Sequence, residues 1–190
     1  MWAAASPRYK HLLRGVEAAD SWATDGHKWL NVPYDCGYAF VAHPDAHSAA
    51  MSHRAPYLVH SQVARDQIDW NRARGFATYA ALRQLGRQGL AALIEGCCEH
   101  ASALVKGIGA LPGAEVLWMP RINQGLVRFQ EDARTDEVIA AILQDGGAYF
   151  GGTTWRGQRA MRVSVCNWRT SQADVERAIA AVAKALAAVS

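Results

Sequence analysis

The residues most capable of chemistry in this chain lie in one stretch, Ala19-Asp20-Ser21-Trp22-Ala23-Thr24-Asp25-Gly26-His27-Lys28-Trp29-Leu30-Asn31-Val32-Pro33-Tyr34-Asp35-Cys36-Gly37. Its pattern predicts a short strand, a glycine turn carrying His-Lys-Trp, and a proline turn into the next strand. Most lysines sit on solvated faces, because the ammonium gives up strong hydration on burial. Trp22 and Trp29 on either side would desolvate the Lys28 amine and favour its neutral form, which attack on an aldehyde requires. The alternative is an exposed turn lysine whose stem lies on Trp29.

The run Asp20-Ser21, His27-Lys28-Trp29 and Asn31-Val32-Pro33-Tyr34-Asp35-Cys36-Gly37 resembles the cofactor-lysine region of the group II pyridoxal-phosphate-dependent decarboxylases. That family includes the aromatic-amino-acid, histidine and glutamate decarboxylases. The resemblance implies that Lys28 bonds to the aldehyde of pyridoxal 5'-phosphate and that His27 lies near the cofactor phosphate. It also places Asp25 where the family often holds the phosphate through a small polar side chain. A carboxylate there would serve through its backbone N–H, since its charge repels a phosphate dianion.

A second match, Pro56-Tyr57-Leu58-Val59-His60-Ser61, resembles the Tyr-Leu-x-His-Ser stretch of the family's mobile catalytic loop, with Tyr57 following Lys28 by 29 residues. The resemblance implies that Tyr57 reprotonates the substrate α-carbon after carbon dioxide leaves, reaching into the neighbouring subunit's site. A phenol, with an unperturbed pKa of about 10, stays protonated at neutral pH and can donate there. The alternative for Tyr57 is a loop ring covering an apolar patch. Asp69-Trp70-Asn71-Arg72-Ala73-Arg74-Gly75-Phe76 resembles the segment that opens the helix leading to the family's C-terminal domain, where Arg72 and Arg74 read as solvated helix-start residues. Arg162 points away from the apolar face of its strand; the resemblance implies a pairing with the substrate carboxylate, and a structural salt bridge is the alternative.

The implied fold class is α/β, the C-terminal part of a type I pyridoxal-phosphate-dependent transferase-like fold. Residues 1–88 would be a remnant of the large cofactor-binding domain, and 89–190 the small C-terminal α/β domain. The implied reaction is decarboxylation of an L-amino acid to an amine, by a homodimer with sites at the subunit interface; aromatic and acidic substrates both stay open. Three family elements are expected before Trp2: a phosphate-binding Ser/Gly turn, a histidine stacked on the pyridine ring, and an aspartate paired with the ring nitrogen. With Met1 as the start, the expectation is impaired activity in a chain that is truncated, is a fragment, or has the rest supplied by another chain. Two alternatives accompany it: a non-catalytic remnant acting as a dimerisation or interaction module, and another type I enzyme such as a desulfurase or aminotransferase.

The elements that must position these residues are legible to different degrees. Val175, Ile179, Val182, Leu186 and Val189 recur at helical spacing behind a Ser171/Asp174 capping box. Met161, Val163 and Val165 alternate with Arg162, Ser164 and Cys166, a strand with one buried face. Residues 125–129 give a second strand, and Thr135 opens a helix that ends at Gly146-Gly147. The order strand, helix, strand, strand, helix makes this region a small α/β or α+β domain. Leu90, Leu93, Ile94, Cys97, Cys98, Ala101, Leu104, Val105 and Ile108 mark a helix of several turns, preceded by another over about 73–85. Residues 38–41 form a short strand. His43 to Asp69 has no sustained period and reads as a long exposed loop with one short helix.

Composition excludes other classes. The chain has 190 residues, 51% apolar and 19% charged, with a net charge of +3. That balance builds a globular core rather than a disordered tail, and its scattered cations leave no nucleic-acid footprint. There is no apolar run of bilayer length and no secretory leader, so no membrane partner and a cytoplasmic location are expected. Four cysteines form no C-x-x-C pair, which suits a reducing compartment. His43, His47, His53 and His60 lack the spacing of a metal site and read as solvated loop residues. Cys97-Cys98 falls on a helix stripe and reads as core.

Overall fold

The computed structural model describes residues 1–51 and 74–189. Tyr57, His53, His60 and Arg72 lie outside the described residues. The chain divides into two compact units, Met1–Gly89 and Leu90–Ser190.

In the first unit three short 3-10 turns, Trp2–Ala5, Lys10–Leu13 and Val16–Ala18, precede strand β1, Ser21–Asp25. Helix α1, Gly26–Trp29, follows without a break, and strand β2, Gly37–Val41, returns antiparallel with Asp25 opposite Gly37 and Ser21 opposite Val41. The expected turn carrying His-Lys-Trp is therefore one turn of helix, closed by Leu30 N–H donating to Gly26 O at 3.0 Å. Helix α2, Pro44–Met51, is the short helix expected after His43. Helix α3 spans Arg74–Gly109 and is broken at Gly86, whose φ of 60° and ψ of −171° are not helical. A side chain is disfavoured at such a φ, which is why a glycine marks the junction.

The second unit contains the remainder of α3, strands β3 (Ala114–Trp118) and β4 (Gln124–Phe129), helix α4 (Asp132–Asp145), strands β5 (Gly151–Trp155) and β6 (Gln158–Ser164), and helix α5 (Gln172–Ala188). Its sheet is antiparallel throughout, in the order β3-β4-β6-β5. The helices cover one face, where Val127, Phe129, Met161 and Val163 meet Ile94, Val105, Val138, Ile142, Val175 and Val182, all buried. Alternation along β4 and β6 puts Leu126 and Arg162 on the other face. Cys97 and Cys98 are buried in the core as expected, and burial, reinforced by the neighbouring Cys166 and Cys98, pushes the Cys97 thiol up to about 12. Such a thiol stays protonated and inert.

One boundary differs from expectation. Helix α4 begins at Asp132, three residues before Thr135, and Thr135 is a buried side chain inside it. Its hydroxyl accepts from Phe129 N–H at 3.1 Å and donates to Glu131 O at 2.9 Å, tying the helix to β4. The capping box of α5 is present: Ser171 Oγ accepts from Asp174 N–H at 3.3 Å, and Asp174 accepts from Ser171 N–H at 2.8 Å. Ser171→Ala is expected to lower stability by about 1 kcal/mol, seen as a lower urea midpoint with an unchanged slope. Among the described residues no helix is long and apolar enough to cross a membrane.

Candidate active site

The end of β1 presents Lys28 on a turn that is pinned by main-chain bonds. Gly26 N–H donates to Cys36 O at 2.8 Å, and His27 Nδ1 lies 3.1 Å from the same oxygen. A carbonyl can only accept, so His27 Nδ1 carries a proton and donates it to Cys36 O. The His27 ring also meets Tyr34, with centroids 4.5 Å apart. Asn31 donates its amide to the Lys28 carbonyl at the other end of the turn. The helical turn is thus fixed on both sides of the lysine by hydrogen bonds that do not involve the amine.

Lys28 itself is reachable. Its side chain is 62% exposed, and Nζ pairs with the Asp25 carboxylate at 2.5 Å. The hydrogen bond from Lys28 holds the Asp25 carboxyl below the ordinary carboxylate range; slight desolvation opposes this, and the charges of Lys28 and His27 add to it. The expectation that Trp22 and Trp29 desolvate the amine is not met. Trp29 is buried against Trp2, at a centroid distance of 6.4 Å, and Trp22 Nε1 donates to Val16 O at 3.4 Å. An ammonium with a carboxylate one helical turn away keeps a counter-ion and its water together, which costs less than shedding both.

These residues fit the aldehyde end of pyridoxal phosphate better than its phosphate end. An exposed amine on a rigid turn suits condensation with an aldehyde. The Asp25 carboxylate is committed to Lys28 and would repel a phosphate dianion, so only its extended main chain (φ −101°, ψ 119°) suits the anion. The structure thus brings Asp25, His27 and Lys28 together in the first unit. Arg162 belongs to the second unit, exposed on β6 opposite Leu126 and Gly151; among the described residues it makes no ion pair. His43 lies 3.8 Å from Asp20 with both side chains solvated, and no metal-binding cluster occurs among the described residues.

Sequence reasoning missed the support behind the turn. Tyr38 and Thr78 share a 2.7 Å hydrogen bond, and the Cys36 thiol donates to the Tyr38 hydroxyl at 3.5 Å. The available signal was the bare glycine before His-Lys, a position where close approach of another group excludes a side chain.

Comparison with known proteins supplies the family. The profile of the pyridoxal-dependent decarboxylase conserved domain matches residues 2–131. An aromatic-L-amino-acid decarboxylase of Drosophila melanogaster is 28% identical over 182 residues, covering 90% of this chain and 35% of the relative. One from Sus scrofa is 27% identical over 184 residues, covering 90% of this chain and 37% of its own. The chain therefore spans little more than a third of the length of these relatives. Among solved structures, Oryza sativa TDC with PLP and tryptamine superposes with a TM-score of 0.85 at 21% identity, over 99% of this chain and 43% of that one. Catharanthus roseus tryptophan decarboxylase in complex with L-tryptophan gives a TM-score of 0.84 at 20% identity, over 100% of this chain and 43% of that one. These likenesses give the fold expected from the sequence, part of a type I pyridoxal-phosphate-dependent architecture. With most of the chain inside the matched domain, this protein belongs to the pyridoxal-dependent decarboxylase family, whose cofactor is pyridoxal 5'-phosphate.

Proposed function

We propose that the chain contributes the lysine-bearing part of a decarboxylase that converts an L-amino acid into an amine and carbon dioxide. The observation that carries this reading is the exposed Lys28 amine on a turn pinned by two hydrogen bonds to one carbonyl. Pyridoxal phosphate, when bound, supplies a conjugated ring that accepts the electron pair left on the α-carbon. Lys28 would hold the cofactor through Nζ and would accept or return a proton there. Asp25 keeps the free amine oriented as its counter-ion. His27, oriented through Nδ1, would lie beside the cofactor. Tyr57 returns the proton to the α-carbon, and Arg162 holds the substrate carboxylate by a charge-assisted pair. Residues 1–88 form the cofactor-binding part and 89–190 the small domain. The curated relatives are named for aromatic amino acids, which favours that substrate class over an acidic one. A reducing, cytoplasmic setting is part of the same reading.

The test is direct. Protein incubated with pyridoxal phosphate is reduced with borohydride, digested and mapped by mass spectrometry. A mass gain on the peptide holding His27-Lys28-Trp29 is expected; labelling only at other lysines overturns the reading.

A second observation supports a homodimer. Phe76, Tyr79 and Leu82 recur every third residue on α3 and are 79%, 64% and 41% exposed. Contiguous apolar surface on a helix face marks an interaction site. Phe76→Glu with Tyr79→Glu is expected to shift the mass measured by light scattering from dimer to monomer. Cofactor capture without amine from any amino acid would favour the interaction-module reading.

A further inference from the structure

We propose that Tyr38 is a positioning residue for Lys28, acting through its contact with Gly26. The inference rests on the reading of Lys28 as the cofactor lysine. Gly26 is buried, and a Cβ built on it would lie 2.6 Å from Tyr38 Cζ and 2.9 Å from Cε2. Carbon atoms prefer separations of roughly 3.5–4.0 Å, so the tip of the tyrosine fills the space a side chain would need.

The tyrosine cannot easily give way. Its hydroxyl shares the 2.7 Å bond with Thr78 on α3 and receives the Cys36 thiol at 3.5 Å. Its ring stands edge-on to Trp2, with centroids 6.3 Å apart and planes at 64°. Trp2 is itself held by Nε1 donating to Thr24 Oγ1 at 2.7 Å, and its other contact is Trp29 at 6.4 Å. Gly26 and Trp29, which bracket His27 and Lys28, therefore rest on one braced group of rings. Burial, helped by the Cys36 bond, raises the Tyr38 phenol above its ordinary range, so it stays protonated and able to donate to Thr78. The height of the helical turn above this brace sets where the Lys28 amine is presented.

Gly26→Ala is the decisive variant, because alanine is the better helix former and the three atoms nearest its Cβ all belong to Tyr38. Displacing a reacting group by about 1 Å can cost about 100-fold, so capture of pyridoxal phosphate at Lys28 is expected to slow at least about tenfold. Gly26→Ala with Tyr38→Ala removes the collision and is expected to restore capture to within about threefold of Tyr38→Ala alone, despite a lower melting temperature. A merely structural role would not give recovery of capture in a less stable protein. Thr78→Ser should keep the wild-type rate, and Thr78→Val should slow it. A second readout is trace acetylation of Lys28 by acetic anhydride, scored by mass spectrometry against Lys10, Lys106 and Lys184, and it should follow the same order. If wild-type protein captures no cofactor at Lys28, the function proposed above fails, and the acetylation series still decides the role of Tyr38. Equal rates for wild type and Gly26→Ala in both readouts, or a double variant no faster than Gly26→Ala, overturn the inference.

Discussion

Lys28→Arg is expected to abolish borohydride-stable incorporation of pyridoxal phosphate into the His27-Trp29 peptide, leaving only the slow background shared by Lys10, Lys106 and Lys184. The substitution keeps the positive charge and can keep the pair with Asp25, which lies 2.5 Å from Lys28 Nζ. It removes the one property that matters: a guanidinium does not deprotonate in proteins and offers no nucleophilic nitrogen. Because the side chain is 62% exposed, unfolding should move by no more than about 0.5 kcal/mol. Chemistry and stability therefore separate cleanly at this position. Incorporation at the wild-type level in the arginine variant would mean that another amine receives the aldehyde.

Phe129→Ala has the largest expected effect on stability. Phe129 is fully buried at 0% exposure, at the end of β4 and beneath the helices of the second unit. Truncating a phenylalanine in such a site costs about 3–5 kcal/mol through lost transfer energy and the cavity left behind. Its main chain carries a further role, since Phe129 N–H donates to the buried Thr135 hydroxyl. Urea unfolding should show a transition displaced by that amount, assigned to the second unit by hydrogen exchange on β4 and α5. A loss below about 1 kcal/mol would place the core elsewhere.

Much of the second unit was legible because burial there follows the periods of helix and strand. Val175, Val182 and Leu186 turn inward on α5, and Met161 and Val163 turn inward on β6, as their spacing requires. Strand β3 was not anticipated: Ala114–Trp118 lacks clean alternation, and its register slips between Val116 and Trp118. The start of α4 was misplaced because threonine at 135 has the chemistry of a cap, yet its hydroxyl serves a neighbouring strand. In the candidate site, the residue types of Asp25, His27 and Lys28 were visible, but their surroundings were not. The pairing of Lys28 with Asp25, the hydrogen bond of His27 and the brace at Tyr38 arise from contacts across β1, β2 and α3 that no local period encodes.

Two of the bonds that hold the lysine turn converge on one main-chain oxygen, the carbonyl of Cys36. Every amino acid supplies that acceptor, although the buried Cys36 side chain itself serves Tyr38 through its thiol. The grip does not tolerate changes in length. One residue gained or lost between Trp29 and Cys36 carries the oxygen away from both donors, so the spacing of this connection is under tighter constraint than its composition.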